Sequence, residues 1–213
     1  MKRLTLFCGH YGSGKTNLAV NYALHLKKQT EKRVVIADLD IVNPYFRSKD
    51  SAALLEREGV ELIACPYANT NVDLPALPSE MYALVQDRTL CGVLDIGGDD
   101  RGALALGRLT PQILAEGDYD NFCVVNFYRP LTRTAEEVAA VMQEIVMASG
   151  LPFTAIVNNS NLGEETTAET VLQTQNEAEK LSALVGLPIA MTAARKDLAV
   201  PNAFPLKLQD KYW

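Results

Sequence analysis

The 213-residue sequence has no apolar run approaching the roughly 18 residues of a membrane span, which excludes a transmembrane helix of ordinary length. Nor does it open like a signal peptide: between the basic pair Lys2-Arg3 and Gly9 there is only the five-residue run Leu4–Cys8. A cytoplasmic location is expected. Basic residues are in deficit, 20 Lys and Arg against 26 Asp and Glu, for a net charge of −6. That balance argues against a broad polyanion-binding surface, so nucleic acid is not expected as a partner. Cysteine is sparse too. Cys8, Cys65, Cys91 and Cys123 lie far apart with no C-x-x-C or C-x-C pair, so neither a zinc site nor a redox motif is signalled. They read as small buried hydrophobes. Repeats, low-complexity tracts and linkers are all absent, and residues 1–213 are read as one domain.

What the sequence does have is alternation. Strand candidates occupy Leu4–Cys8, Val34–Ala37, Val60–Ala64, Gly92–Ile96, Phe122–Phe127, Phe153–Val157 and Pro188–Met191. Several are unbroken apolar runs, the pattern of strands covered on both faces. Helical patterns lie between them over Gly14–Lys27, Thr134–Ser149 and Thr166–Val185. The last two open with Thr134/Glu137 and Thr166/Glu169, each spaced as a capping box. Pro66–Pro78 reads as a surface loop. The expected fold is a three-layer α/β/α sandwich with a mostly parallel sheet of about seven strands. Right-handed crossovers gather the strand C-terminal ends on one rim, where ligands bind.

The first strand runs into Gly9-His10-Tyr11-Gly12-Ser13-Gly14-Lys15-Thr16 and then into a helix. This is the phosphate-loop pattern G-x-x-x-x-G-K-[ST] in the setting the chemistry requires. Gly9, Gly12 and Gly14 let backbone N–H groups curl round phosphate oxygens, and Ser13 and Asn17 lie in the same turn and helix start. Lys15 would bridge the β- and γ-phosphates, and the Thr16 hydroxyl would hold Mg²⁺. The second strand ends in Asp38-Leu39-Asp40 and the fourth in Asp95-Ile96-Gly97-Gly98, which brings carboxylates to the same rim. Beside a polyphosphate they need an intervening cation, so Asp38 and Asp95 are candidate Mg²⁺ partners through its waters. The competing reading of each is a turn or cap residue.

The order phosphate loop, D-x-D, D-x-G-G resembles the MinD/ParA branch of the SIMIBI-class P-loop ATPases. Its relatives include CooC-type maturation ATPases, the nitrogenase iron protein and the CobB/CobQ and dethiobiotin synthetases. By motif the resemblance covers Lys2 to about Val157. It implies ATP and Mg²⁺ as cofactors, with Asp40 positioning the attacking water and Gly98 facing the γ-phosphate. Asn126-Phe127-Tyr128-Arg129-Pro130 resembles the family's loop near the dimer face. The implied activity is a slow ATPase used as a conformational switch on a partner protein, with a role in metallocentre or cofactor maturation one form of it. The alternative is an ATP-dependent synthetase or kinase acting on a small molecule.

The chain departs from the family at His10-Tyr11. The family places there a lysine that reaches the other subunit's phosphates, so homodimerisation by that contact does not carry over. His10 either donates as an imidazolium or only shapes the loop. Arg47, Arg101, Arg129 and Arg133 fall on rim loops, each as an arginine finger, an anion-binding group or a solvated charge. The tail, Ala203–Trp213, has too few basic residues for stable membrane binding, and docking of Tyr212 and Trp213 is expected instead. At Asn158-Asn159-Ser160-Asn161 no Asp stands ready to read guanine. Asn158 or Asn159 can bond the adenine edge, or both can merely shape a turn.

Overall fold

The computed structural model describes residues 2–39, 51–64, 77–98 and 100–208. Eight strands form one parallel sheet: β1 (Leu4–Cys8), β2 (Val34–Leu39), β3 (Val60–Ala64), β4 (Cys91–Ile96), β5 (Tyr119–Val125), β6 (Ala155–Asn158), β7 (Ile189–Arg195) and β8 (Phe204–Leu206). Their order is β3-β2-β4-β1-β5-β6-β7-β8, and every neighbouring pair is parallel. All seven expected strands are present. The eighth, Phe204–Leu206, was read as part of a docked tail; three residues beginning Phe-Pro carry too little pattern to mark a strand.

The unbroken apolar runs have the expected cause. Alternate residues of one strand serve opposite cores: Leu4, Leu6 and Cys8 face one side and Phe7 the other, while Val35, Ala37 and Leu39 oppose Val34 and Ile36. One face is covered by α1 (Lys15–Lys27), through Leu18, Ala19, Ala23 and Leu26, and by Leu55 of α2 (Ala52–Arg57). The other is covered by α3 (Ser79–Gln86), α4 (Asp100–Gly107), α5 (Thr110–Glu116), α6 (Ala135–Ser149) and α8 (Gln175–Val185).

The helix caps differ in detail from expectation. Thr134 caps α6 by accepting from the Glu137 N–H, but the Glu137 carboxylate takes the Arg133 N–H instead of closing the box. The segment expected as one helix from Thr166 is two, α7 (Ala168–Leu172) and α8. The box is formed by Thr167 and Thr170, while the Thr166 hydroxyl turns back to the Gly163 carbonyl. No described helix is long and apolar enough to cross a membrane.

β1 sits between β4 and β5, where the chain's path along the sheet reverses. The loop after β1 therefore opens at the switch point of the sheet, where a parallel α/β fold leaves its crevice.

Candidate functional site

Gly9 leaves β1 with φ +146°, and a Cβ there would lie 2.3 Å from the Val124 carbonyl oxygen of β5. Gly14 enters α1 with φ +84°, where a Cβ would meet the Asn159 amide nitrogen at 2.5 Å. Only glycine fits either place without displacement. Between them three side chains hold three loop carbonyls. Lys15 Nζ donates to the His10 carbonyl at 3.1 Å, Arg129 Nε to that of Gly12 at 3.2 Å, and Asn159 Nδ2 to that of Ser13 at 2.7 Å. Pinning carbonyls in this way sets the orientation of the peptide planes before any ligand arrives, which is how an anion nest is prepared.

Lys15 and Thr16, the first residues of α1, are both buried. Gly98, after β4, packs against them: a Cβ on it would lie 2.7 Å from Lys15 Nζ and 2.8 Å from the Tyr11 nitrogen. Asp38 and Asp95 are register partners at the ends of β2 and β4, and both are buried. The structure thus brings Gly9, Gly12, Ser13, Gly14, Lys15, Thr16, Gly98, Asp38 and Asp95 to one rim. Asp40, Arg47, Cys65, the stretch 65–76, Tyr212 and Trp213 lie outside the described residues, as does the side chain of Arg101.

His10 is partly exposed. Burial and then the Lys15 ammonium hold its imidazole below the ordinary value, with Glu144 acting in the other direction, so it is neutral at pH 7. Cys8 and Cys123 lie buried behind the loop. Burial raises both thiols, that of Cys123 to about 12, which leaves them protonated and inert.

The asparagines of the β6 turn are placed as follows. Asn158 is fully buried; its Nδ2 donates to Thr174 Oγ1 at 2.9 Å, and its Oδ1 accepts from the Ser160 N–H and hydroxyl. Asn159 braces the phosphate loop. Asn158 thus makes bonds of the turn-shaping kind, whereas the Asn159 side chain reaches out of the turn to the loop after β1. Asn161, two residues beyond Asn159, borders a cavity of about 100 Å³ between Gly14, Asn17, this turn, Ala193–Arg195 of β7, and Leu206 and Leu208. Among the described residues no carboxylate lines it.

Sequence reasoning missed one hub. Asn126, fully buried after β5, accepts from the Tyr128 and Asn161 N–H groups and donates to the Asn161 carbonyl at 3.1 Å. It couples the Arg129 loop to the β6 turn. The sequence marks the segment Asn126–Pro130 only by its resemblance to a loop near a dimer face, and an Asn after an apolar strand fits many turns.

A nucleotide with Mg²⁺ suits these residues. The Ser13 hydroxyl oxygen is buried without a hydrogen-bond partner among the described residues, inside a cradle that a Cβ at Gly9, Gly14 or Gly98 would crowd. No three His, Cys, Asp or Glu side chains converge among the described residues. A cation here would therefore draw ligands from Thr16, phosphate oxygens and water, with Asp38 and Asp95 behind them.

No family model matches the sequence, nor does any of the curated proteins compared. Solved structures do match in fold. The cell division protein FtsY of Thermotoga maritima superposes with a TM-score of 0.59 at 13% identity over 97% of this chain and 66% of that one. The signal recognition particle 54 kDa protein of Aeropyrum pernix, in complex with GDP, gives 0.59 at 15% identity over 97% and 43%. FlhF complexed with GTP and Mg²⁺ gives 0.55 at 15% identity over 97% and 70%. The chain thus spans just under two thirds of the FtsY chain and less than half of the signal recognition particle protein. What it shares with all three is the fold, a parallel β-sheet with helices on both faces.

Proposed function

We propose that this protein binds ATP with Mg²⁺ at the loop Gly9–Thr16 and hydrolyses it slowly, as a MinD/ParA-like conformational switch acting on a partner protein. The observation that carries the reading is the pinned loop: three carbonyls held by Lys15, Arg129 and Asn159, with a buried lysine and two buried aspartates on the same rim. A Gly-rich turn with no ligand needs none of these groups to converge. In this reading Lys15 neutralises phosphate charge, Thr16 ligates Mg²⁺, Asp38 and Asp95 orient the cation's waters, and Asp40 positions the attacking water. The segments after Asp38 and Asp95 would then report the γ-phosphate to the partner.

ATP is favoured over GTP by the cavity beside the loop. Guanine's N1–H and 2-amino group call for a carboxylate, and none of the described residues lining that cavity carries one. Base recognition falls to Asn161 and the nearby backbone, since Asn158 is engaged elsewhere.

Thermal unfolding with ATP–Mg²⁺ and GTP–Mg²⁺ tests the reading. At a hundred times Kd a nucleotide adds about 2.7 kcal/mol of stability. Lys15→Ala should abolish that shift while the apo melting temperature stays put. Asp40→Ala should keep it and lose hydrolysis. An equal shift in wild type and Lys15→Ala would end the proposal, and a larger shift with GTP would reverse the base assignment.

A further inference from the structure

Of the two rim-loop arginines whose side chains are described, Arg129 and Arg133, only Arg129 is anchored to the loop after β1. Arg129 donates Nε to the Gly12 carbonyl, and its two terminal nitrogens have no partner among the described residues. Arg195 forks onto Asp197, and Arg33 onto Glu61. The Arg133 side chain makes no hydrogen bond or ion pair among the described residues. Arg129 is thus a guanidinium with no described counter-ion, anchored on the apex of the phosphate loop.

The loop that carries it is built to hold it there. The Arg129 N–H donates to the Asn126 carbonyl at 3.1 Å, and the Thr132 hydroxyl donates to the same carbonyl at 2.8 Å. The Thr132 N–H then returns to the Arg129 carbonyl, and Tyr128 Oη donates to the Thr170 carbonyl at 2.8 Å. Two residues on, Leu131 adopts φ +65° while 64% exposed. A branched residue in the left-handed region is strained, and persists only where its surroundings fix it. A solvated loop arginine requires no such support.

Charge gives the loop a use for a second cation. A nucleoside triphosphate brings several negative charges to this loop. Lys15 supplies one positive charge, and His10 supplies none while burial and Lys15 hold it neutral. An arginine is permanently charged, and its planar fork suits two phosphate oxygens.

We propose that Arg129 is a phosphate-contacting residue of this site, supplied in cis, whose terminal nitrogens engage the γ-phosphate end of a bound triphosphate. The proposal rests on the nucleotide-site reading above. It assigns Arg129 the charge-neutralising task of an arginine finger without a second protein.

The test is calorimetric titration, in Mg²⁺, of ADP and of a non-hydrolysable ATP analogue into wild type, Arg129→Ala, Arg129→Lys and Lys15→Ala. Arg129→Ala should weaken the ATP analogue by about tenfold to a hundredfold, the range of a charge-assisted contact, and ADP by less than about threefold. Arg129→Lys should recover part of the loss. Arg129 is exposed, so an unchanged apo melting temperature is expected and serves as the control. Equal weakening of both nucleotides would make Arg129 a loop brace and overturn the proposal, as would wild-type affinity for both. Those outcomes leave the nucleotide site standing if Lys15→Ala loses both ligands. Wild-type binding by Lys15→Ala would instead remove the site and this proposal with it.

Discussion

The two ends of the sheet each hold an arginine against backbone carbonyls, and the two are used in opposite ways. At the bottom, Arg3 is 5% exposed and all five of its N–H groups are engaged. Nε and Nη2 grip the Glu116 carboxylate, Nη1 reaches the carbonyls of Leu84 and Asp87, and Nη2 that of Val85. Its donors are used up within the chain, so it seals the ends of α3 and α5 against β1. At the top, Arg129 is exposed and engages Nε alone. Both sites depend on the same chemistry, a fork of donors facing oxygen. What separates a structural arginine from one available to a ligand is how many donors the fold itself consumes.

The comparison can be broken first at the bottom. Arg3→Ala leaves the Glu116 carboxylate, 9% exposed, with its cation gone, together with three carbonyls that lose a donor. Removing one partner of a buried pair costs about 3–5 kcal/mol, so this variant should be the least stable of those considered. Arg3→Lys should recover less than half, because an ammonium cannot span Glu116 and three carbonyls at once. Urea unfolding measures both. A loss below about 1 kcal/mol in Arg3→Ala would show that the clamp is not what closes this end. Nucleotide affinity per folded molecule should be unchanged, since the clamp lies at the opposite ends of the strands from the loop after β1.

A smaller effect is expected midway, at Asn126. Asn126→Ala removes the acceptor of the Tyr128 and Asn161 N–H groups and a donor to the Asn161 carbonyl, all in a buried setting. A cost of about 2–3 kcal/mol follows from leaving such groups unmatched. Because the hub joins the Arg129 loop to the β6 turn, nucleotide affinity should fall as well. Wild-type affinity in Asn126→Ala would mean that the Arg129 loop holds its place without the hub.

The glycine-rich loop of the rim was legible in the sequence, and the side at the β6 turn was not. Phosphate binding dictates backbone geometry, and only particular residues satisfy it. Gly9 and Gly14 have no alternative where a Cβ would strike Val124 and Asn159. Lys15, Gly98 and the two aspartates follow at fixed places after strands. The turn at Asn158–Asn161 and the end of β7 work through hydrogen bonds that several residue types can make. The sequence therefore left Asn158 and Asn159 undecided between base and turn. Likewise Arg3 looked like part of a short basic start, because nothing local announces partners at Glu116 and Val85. The central strands were readable from runs buried on both faces, and the half-exposed β3 and β7 from short apolar runs alone. The four short helices α2 to α5 were not, because eight residues or fewer give too little period to count.

The smallest expected effect sharpens the contrast at the top of the sheet, where His10 and Arg129 share the loop. Burial and Lys15 lower the His10 pKa in the folded protein, against Glu144, so the unfolded chain takes up its proton at higher pH than the folded one does. Between the lowered folded value and about 6.5 the unfolded state binds more protons. His10's share of stability is therefore complete above about pH 6.5 and lost as the pH falls through that window. His10 is partly exposed, so solvent screening keeps that share small. Urea midpoints at pH 5.5 and pH 7.5 should differ slightly less in His10→Gln than in wild type, with acidic groups common to both chains cancelling in the comparison. Bound triphosphate should shrink the difference, because its charge favours the imidazolium. If instead wild type without nucleotide gains stability relative to His10→Gln as the pH falls, then His10 is charged in the folded protein. In that case Arg129 would not be alone in meeting the phosphate, and sedimentation of His10→Gln with a non-hydrolysable ATP analogue at both pH values would show whether that second cation also serves association.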